Sequence, residues 1–398
     1  MNSPSTIRLD RDALDDNLDL IKRLASPNGA VCGVVKANAY GLGADRIVPR
    51  MVASNIDMLA VYSLAEATEL AEVSSTVPLL VLMPVHELDR GSATLSLLAR
   101  DRLHLVVHDL DHIASLEREA AMFGVVLRLH LELDTGMGRG GCNTSEAVAV
   151  LQRIAANPRL ELHGIMTHFA DPAADRESAR EQRSLTLAFV EQNAALIPAS
   201  CRLHVAATGA IEDAAMRLGM VRVGLAWTGL VDGPVAGQPP QGPLASLRPI
   251  VSLWSELVQV RRIEAGVRVG YGSLWEAKRR STIGLVPVGY AHGLPSPQRG
   301  HVHRLVVTTA NGPREVPVIG AVNMDQVSVD LTDVGPIGRG AAVEVLSSDR
   351  TSPAYLAKVA DRTGLSPYAI VTGLSPRLPR VMVAGHDAHV TTPSHVIG

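Results

Sequence analysis

At 398 residues the chain is longer than one compact hydrophobic core comfortably fills, so two domains are the natural expectation. Its composition, 46% hydrophobic, 19% charged and 3% aromatic, is that of a globular protein with an aliphatic core and excludes a disordered or fibrous chain. With 37 basic against 40 acidic residues, a net charge of −3 and no Lys/Arg block, it lacks the footprint of a nucleic-acid-binding surface.

Cys32, Cys142 and Cys201 are odd in number and far apart, with no C-x-x-C or Cys/His ligand spacing, so reduced, mostly buried thiols and no metal site are expected. No cationic N-terminal stretch leads into an apolar run, and the apolar runs fall well short of the ~20 residues that span a bilayer. Both point to a cytoplasmic protein without membrane contact.

In chain order, Leu14, Leu18, Ile21 and Leu24 mark a first amphipathic helix. Eight short apolar, β-type runs follow at residues 30–37, 57–63, 78–83, 103–107, 126–133, 161–167, 202–206 and 219–225. Most have few polar interruptions, as parallel strands covered on both faces should. The segments between them carry helical spacing, as in Val148, Leu151 and Ile154, with Thr144 as the N-cap. Eight strands alternating with about eight helices predict a (β/α)8 TIM barrel, with a doubly wound open sheet as the alternative.

After residue 231 the texture changes. Asp232-Gly233-Pro234 and Gln238-Pro239-Pro240-Gln241-Gly242-Pro243 read as a linker over 232–243, dividing a barrel domain at 1–235 from a second domain at 244–398. That domain carries β-rich runs at 250–260, 282–288, 302–309 and 327–331, with Asn311-Gly312 as a hairpin signal. It is expected to be mainly antiparallel β.

The first barrel run ends in Val34-Val35-Lys36-Ala37-Asn38-Ala39-Tyr40-Gly41-Leu42-Gly43, which puts a lysine where a barrel presents its active site. Burial there favours the neutral amine, the form that attacks a carbonyl compound to give a Schiff base. On position alone the same residue also fits a strand-end lysine whose head reaches solvent. Arg139 follows the fifth run in a glycine-rich turn, His168 closes the sixth, Thr208-Gly209 follow the seventh, and Arg222-Val223-Gly224 lie in the eighth. A loop arginine and a packing histidine explain the first two individually. An arginine inside a nearly apolar strand needs an acceptor, and the amides near Gly209 and Gly224 fall where barrels often bind phosphate.

Taken together these motifs resemble the alanine racemase family across nearly the whole chain. The stretch 34–43 is similar to that family's cofactor-lysine signature. Residues 133–139, 164–169, 220–230, Tyr271-Gly272, Val288-Gly289-Tyr290, 323–326 and Leu378-Pro379-Arg380 follow in family order. The resemblance implies a pyridoxal 5'-phosphate enzyme that interconverts the enantiomers of a small amino acid, and a homodimer in which each active site joins one barrel to the partner's β domain. It assigns Lys36 to the cofactor and to one acid/base role, and Tyr271 to the opposite face. Inversion requires two such bases, since a proton lost from one side must return on the other. It further implies Tyr40, Thr208, Gly224 and the Leu225 amide around the cofactor phosphate, Arg222 at the pyridine nitrogen and His168 beside the cofactor. Arg139 and the Met324 backbone are implied at the substrate carboxylate. Without it, Tyr271 reads as a half-buried packing tyrosine and Met324 as ordinary packing.

The chain departs from the family pattern in places. Glu132 stands where many members carry a carbamylated lysine, so its carboxylate is expected to be the anionic partner of Arg139. Around the entrance, Pro376, His292, Ser296 and Ala321 replace a tyrosine, an aspartate and arginines, which suggests a corridor admitting an amino acid such as serine. Two other readings fit the plan: an amino-acid decarboxylase, whose relatives place a carboxylate at the pyridine nitrogen, and a non-catalytic pyridoxal-phosphate carrier, whose relatives lack the β domain.

Overall fold

The structure is a computed structural model that describes residues 3–25, 29–74, 76–172, 174–231 and 242–385. Its first strand, β1 (Thr6–Asp10), leads into the helix Arg11–Ala25, on which Leu14, Leu18 and Ile21 are buried as the sequence spacing requires. The eight expected runs then form β2 (Ala30–Val34), β3 (Met58–Val61), β4 (Leu79–Val81), β5 (Leu103–Val107), β6 (Leu127–Glu132), β7 (Leu160–Met166), β8 (Arg202–His204) and β9 (Met220–Val223). They pair in parallel in the order β8-β7-β6-β5-β4-β3-β2-β9. A bridge between Ala207 and Arg222 and the Arg222 N–H donated to the Ala206 carbonyl at 2.9 Å bring the two ends together. The sheet is thus a barrel, not an open doubly wound sheet.

Alternation along each strand sorts the side chains. Val31, Leu59, Leu79, Leu105, Leu129 and Val221 join the large core under the helices, while Cys32, Val34, Ala60, Leu80, Val106 and Met220 form a separate cluster inside the barrel. The crossover helices Leu64–Val73, Leu110–Phe123, Thr144–Ala156 and Arg176–Gln192 each start on a side-chain cap. At Thr144–Ala156 the cap is Asn143 rather than Thr144, because the Asn143 amide oxygen accepts from the Glu146 N–H at 3.0 Å. Between β8 and β9 the chain makes only the 3-10 turns Thr208–Ala210 and Ala214–Met216, where a helix was expected; Thr208 and Gly209 line the cavity described below.

The expected linker lies, through residue 241, outside the described residues. The second unit contains β10 (Val251–Glu256), β11 (Gln259–Ile263), β12 (Arg268–Val269), β13 (Trp275–Glu276), β14 (Ser281–Val286), β15 (Arg304–Thr309), β16 (Gly312–Ile319), β17 (Val327–Asp330), β18 (Ala342–Leu346) and β19 (Arg380–Val383). The main sheet runs β11-β14-β17-β16-β15-β18-β10-β1-β19 and is antiparallel except where β1 meets β19. The run at 250–260 is two strands, since at Leu257 and Val258 the backbone turns to donate to Ala341 and Leu285. Asn311-Gly312 does close a hairpin: Thr309 pairs with Gly312, whose φ of 96° suits glycine. β1 precedes the barrel in sequence yet sits in this second sheet, between β10 and β19.

Candidate active site

The C-terminal ends of the barrel strands open onto a cavity of about 770 Å³ lined by Lys36, Tyr40, Arg139, His168, Thr208 and Arg222, with Gly224 and Leu225 at its edge, a size suited to a small cofactor or ligand. Eight of the ten site residues expected from sequence therefore meet in one place. Tyr271 and Met324 do not line it.

Lys36 begins a turn of unusual hand. Ala37, Asn38, Ala39 and Tyr40 all have φ between 53° and 55°, a left-handed helical turn without glycine that costs about 1–2 kcal/mol per residue. The surroundings hold it. Glu66 accepts from the Ala37 N–H at 2.7 Å, Asn38 accepts from the Ala44 N–H at 2.7 Å, and Arg380 donates to the Gly41 carbonyl at 3.0 Å. Arg380 also binds the carbonyls of Leu374, Ser375 and Leu378. The Leu378-Pro379-Arg380 motif therefore ties the C-terminal unit to the lysine turn, the kind of over-determination a strained functional segment needs. Burial lowers the Lys36 amine below its ordinary value, and the Arg139 charge lowers it further against the opposing pull of Glu66.

The turn carries Tyr40 back over the cavity. Its ring lies 5.8 Å from that of Trp227, whose indole donates to the Val34 carbonyl at 3.0 Å. Burial pushes the Tyr40 phenol up to about 12, so it stays protonated and can donate. A Cβ at position 224 would come within 2.1 Å of the Tyr40 oxygen; glycine is required for the approach. Thr208 accepts from the Ala226 N–H at 3.2 Å, leaving its own hydroxyl hydrogen free.

Arg222, only 4% exposed, finds its acceptors in uncharged groups. Its Nη1 donates to the carbonyl and to Nδ1 of His204, and its Nη2 to the Thr167 carbonyl at 2.8 Å and to His168 Nδ1 at 3.3 Å. Among the described residues no carboxylate binds it. Burial, then the Arg222 and Arg139 charges, push His168 down to about 3. Its ring is neutral, accepts at Nδ1 and keeps the Nε2–H to donate.

The anionic partner expected for Arg139 is engaged elsewhere. Glu132 lies 3.0 Å from His108 Nδ1, both side chains about nine-tenths buried, and His108 Nε2 lies 3.0 Å from the Leu82 carbonyl. The imidazole thus bridges the Glu132 carboxylate and the Leu82 carbonyl. Burial alone would raise the Glu132 carboxyl, but His108 and the nearby Arg222 and Arg139 charges hold it below its ordinary range. The strand register explains the choice: β5 and β6 pair Val106 with His130 and Val107 with Leu131, which carries His108 alongside Glu132. Arg139 itself is exposed and makes no ion pair or hydrogen bond among the described residues, so its fork is open toward the cavity. His108 and His204 were not singled out in the sequence; each is a polar residue at or inside an apolar run, the signal that singled out Arg222.

Tyr271 and Met324 lie on the second unit, 79% and 54% exposed. Tyr271 opens a 3-10 turn flanked by Gly270 and Gly272, both with positive φ. The Tyr290 and Ala291 amides donate to the carbonyls of Asn323 and Met324, so the motifs at 288–290 and 323–326 form one surface, on which Arg377 and Asp325 pair at 3.2 Å. Of the entrance residues, Pro376 and Ser296 are exposed and His292 and Ala321 half-buried.

A lysine at the mouth of a parallel barrel, a buried arginine without a carboxylate and an appended antiparallel β unit define a two-domain barrel enzyme built around an amine. Two family models divide the chain in the same way: the alanine racemase N-terminal domain matches residues 9–232 and the alanine racemase C-terminal domain residues 250–382. The chain belongs to the alanine racemase family. It is 32% identical over 401 aligned residues to an alanine racemase of Sorangium cellulosum, covering 95% of this chain and 98% of that one. Among solved structures, an alanine racemase of Clostridium difficile 630 superposes with a TM-score of 0.84 at 26% identity, covering 97% of each chain. One from Bartonella henselae, described as having covalently bound pyridoxal phosphate, gives 0.76 at 26% identity, covering 96% of this chain and all of that one.

Proposed function

We propose that this chain is a pyridoxal 5'-phosphate-dependent alanine racemase, acting by two bases on opposite faces of its substrate. The observation that carries this is the cavity itself, in which an amine of lowered pKa, a buried arginine facing only neutral acceptors and a glycine cradle under a tyrosine hydroxyl come together. The residues fit the cofactor. Lys36 would hold it, the hydroxyls of Tyr40 and Thr208 with the amides of Gly224 and Leu225 would receive its phosphate, and Arg222 would donate to its ring nitrogen, with His168 beside it. When bound, pyridoxal phosphate supplies an electron sink that stabilises negative charge at the substrate α-carbon.

The chain's own groups do the rest. Arg139, forked and without an ion pair among the described residues, suits a carboxylate, and the Met324 backbone of a second copy would meet that carboxylate with it. The Lys36 amine takes or returns the α-proton on one face, and Tyr271 of a second copy on the other. A base pair of this kind requires a homodimer in which each site is completed across the interface. That reading is supported by the exposure of Tyr271 and Met324 together with Leu274, 73% exposed, and Tyr290, 51% exposed, a surface that a partner would cover. We also take the division into domains at 1–235 and 244–398 and a cytoplasmic setting, where the three free cysteines would persist. Among the described residues no helix is long and apolar enough to cross a membrane.

Two measurements test this. Borohydride reduction and peptide mapping should place the pyridoxyl label on Lys36; a label on another lysine, or none, rejects the cofactor assignment. Racemisation over a panel of amino acids should show alanine turned over and serine accepted beside it. Exclusive turnover of alanine would reject the wider corridor inferred from Pro376, His292, Ser296 and Ala321.

A further inference from the structure

The barrel interior is divided. Toward β2 and β3 it is filled by Cys32, Val34, Met58 and Ala60. On the other side, one side chain per strand forms a continuous hydrogen-bonded file: Arg222 on β9, His204 on β8, His130 on β6 and His104 on β5. Arg222 Nη1 reaches His204 Nδ1 at 2.9 Å, His204 Nε2 reaches His130 Nδ1 at 2.8 Å, and His130 Nε2 reaches His104 Nδ1 at 3.0 Å. The three imidazoles are 0%, 1% and 5% exposed in that order. On β7, the strand between His204 and His130, stands Gly164. A Cβ there would fall 2.3 Å from His130 Nδ1 and 2.7 Å from His204 Nε2, so glycine leaves the room in which the two rings meet.

The file has a direction. A guanidinium donates and cannot accept, so His204 must accept at Nδ1 and carry its hydrogen on Nε2. That hydrogen fixes His130 in the same form, and His130 fixes His104. Reversing any ring would set two N–H groups face to face, and protonating one would place a second cation in the same buried line. Burial pushes all three imidazoles down, His104 to about 3. Among the described residues no group of three or more His, Cys, Asp or Glu is arranged to hold a metal ion; these nitrogens are spent on one another.

We propose that His130 and His104 are positioning residues for Arg222: with His204 they form a one-way file of uncharged acceptors that fixes the guanidinium at the cavity wall without a carboxylate bound to it. A carboxylate in their place would hold Arg222 as firmly but cancel the field it directs into the cavity. The inference rests on the reading of that cavity as the pyridoxal-phosphate site, since the ring acceptor there is what Arg222 is held for.

The test uses the full-length protein, titrated as apoenzyme with pyridoxal phosphate by absorbance, with kcat and KM measured on the holoenzyme. Gly164→Ala drives a wedge between two rings at a position whose backbone tolerates alanine. His104→Phe removes the last acceptor, while His104→Gln retains an amide oxygen for the His130 Nε2–H. The first two should each weaken cofactor affinity about tenfold and lower kcat more than they change KM, and His104→Gln should stay within about twofold of wild type. Nitrogen-15 spectra of the wild type should show all three rings neutral with hydrogen on Nε2. Wild-type affinity and kcat in both Gly164→Ala and His104→Phe, or a charged or reversed His130, would overturn the proposal. A wild-type protein that fails to bind pyridoxal phosphate at all would instead overturn the cofactor reading and this inference with it.

Discussion

The barrel mouth and the exposed face of the β unit hold the proposed bases in opposite conditions. At the mouth, Lys36 is partly buried, its pKa is lowered, and its backbone is held in a left-handed turn by Glu66, Asn38 and Arg380. On the β unit, Tyr271 stands 79% exposed on a turn between two glycines. The contrast is the one expected if one copy of the chain prepares half a site, as proposed above. The barrel pocket is organised within a single chain, whereas in the proposed homodimer the tyrosine would gain a charged, desolvated setting by docking beside Arg222, Arg139 and His168 of another copy.

The sharpest way to break this comparison is to remove one base from each side. Tyr271→Phe and Lys36→Ala should each lower racemisation roughly 100- to 10,000-fold. In deuterium oxide Tyr271→Phe should still exchange the α-proton of one enantiomer while losing the other; equal loss for both enantiomers would deny it a facial role. Arg139→Met should raise KM for the amino acid by about 10- to 100-fold, the loss of a charge-assisted contact. It should also move Lys36. Because the Arg139 charge lowers the Lys36 amine, its removal raises that pKa, so the acid limb of amine labelling in the apoenzyme should shift to higher pH. A limb that stays in place would show that the two groups do not share a field.

Glu132→Gln should remove the buried carboxylate that His108 binds and cost about 1–3 kcal/mol of stability, read by denaturant unfolding, with a smaller change in KM than Arg139→Met. An unchanged midpoint would reject the pair. Stability should also depend on pH. His104 sits near 3 in the folded state, with His130 and His204 also well below their ordinary value, while the unfolded chain titrates near 6.5. The folded pKa is the lower one, so the unfolded state binds more protons as pH falls below that value. Stability should therefore decline on acidification by roughly 1.4 kcal/mol per pH unit for each such histidine. Flat stability from pH 7 to 5 would mean that these rings are not held neutral.

How much of this was legible in the sequence follows from where contacts are local. The eight barrel strands read clearly because both faces of each are buried, giving short apolar runs. Lys36, Arg139, His168 and Thr208 fell just past their ends and Arg222 inside the last of them, so the pocket could be read strand by strand. Pairing between distant segments did not read. β1 joins β10 and β19 across most of the chain, and the bend at Leu257 is set by Ala341 and Leu285. Glu132 was matched to Arg139 because it stands where many family members carry a carbamylated lysine, whereas the lateral register of β5 against β6 delivers His108 instead. The exposure of Tyr271 is likewise a property of the surface, which its own residues do not announce.

The claim that each site draws Lys36 from one copy and Tyr271 from another is tested most directly by mixing two inactive proteins. Lys36→Ala and Tyr271→Phe, unfolded and refolded together, should form heterodimers in which one of two sites carries both native groups, restoring about a quarter of wild-type activity. A mixture no more active than its components would place both groups in one chain's site and contradict the account.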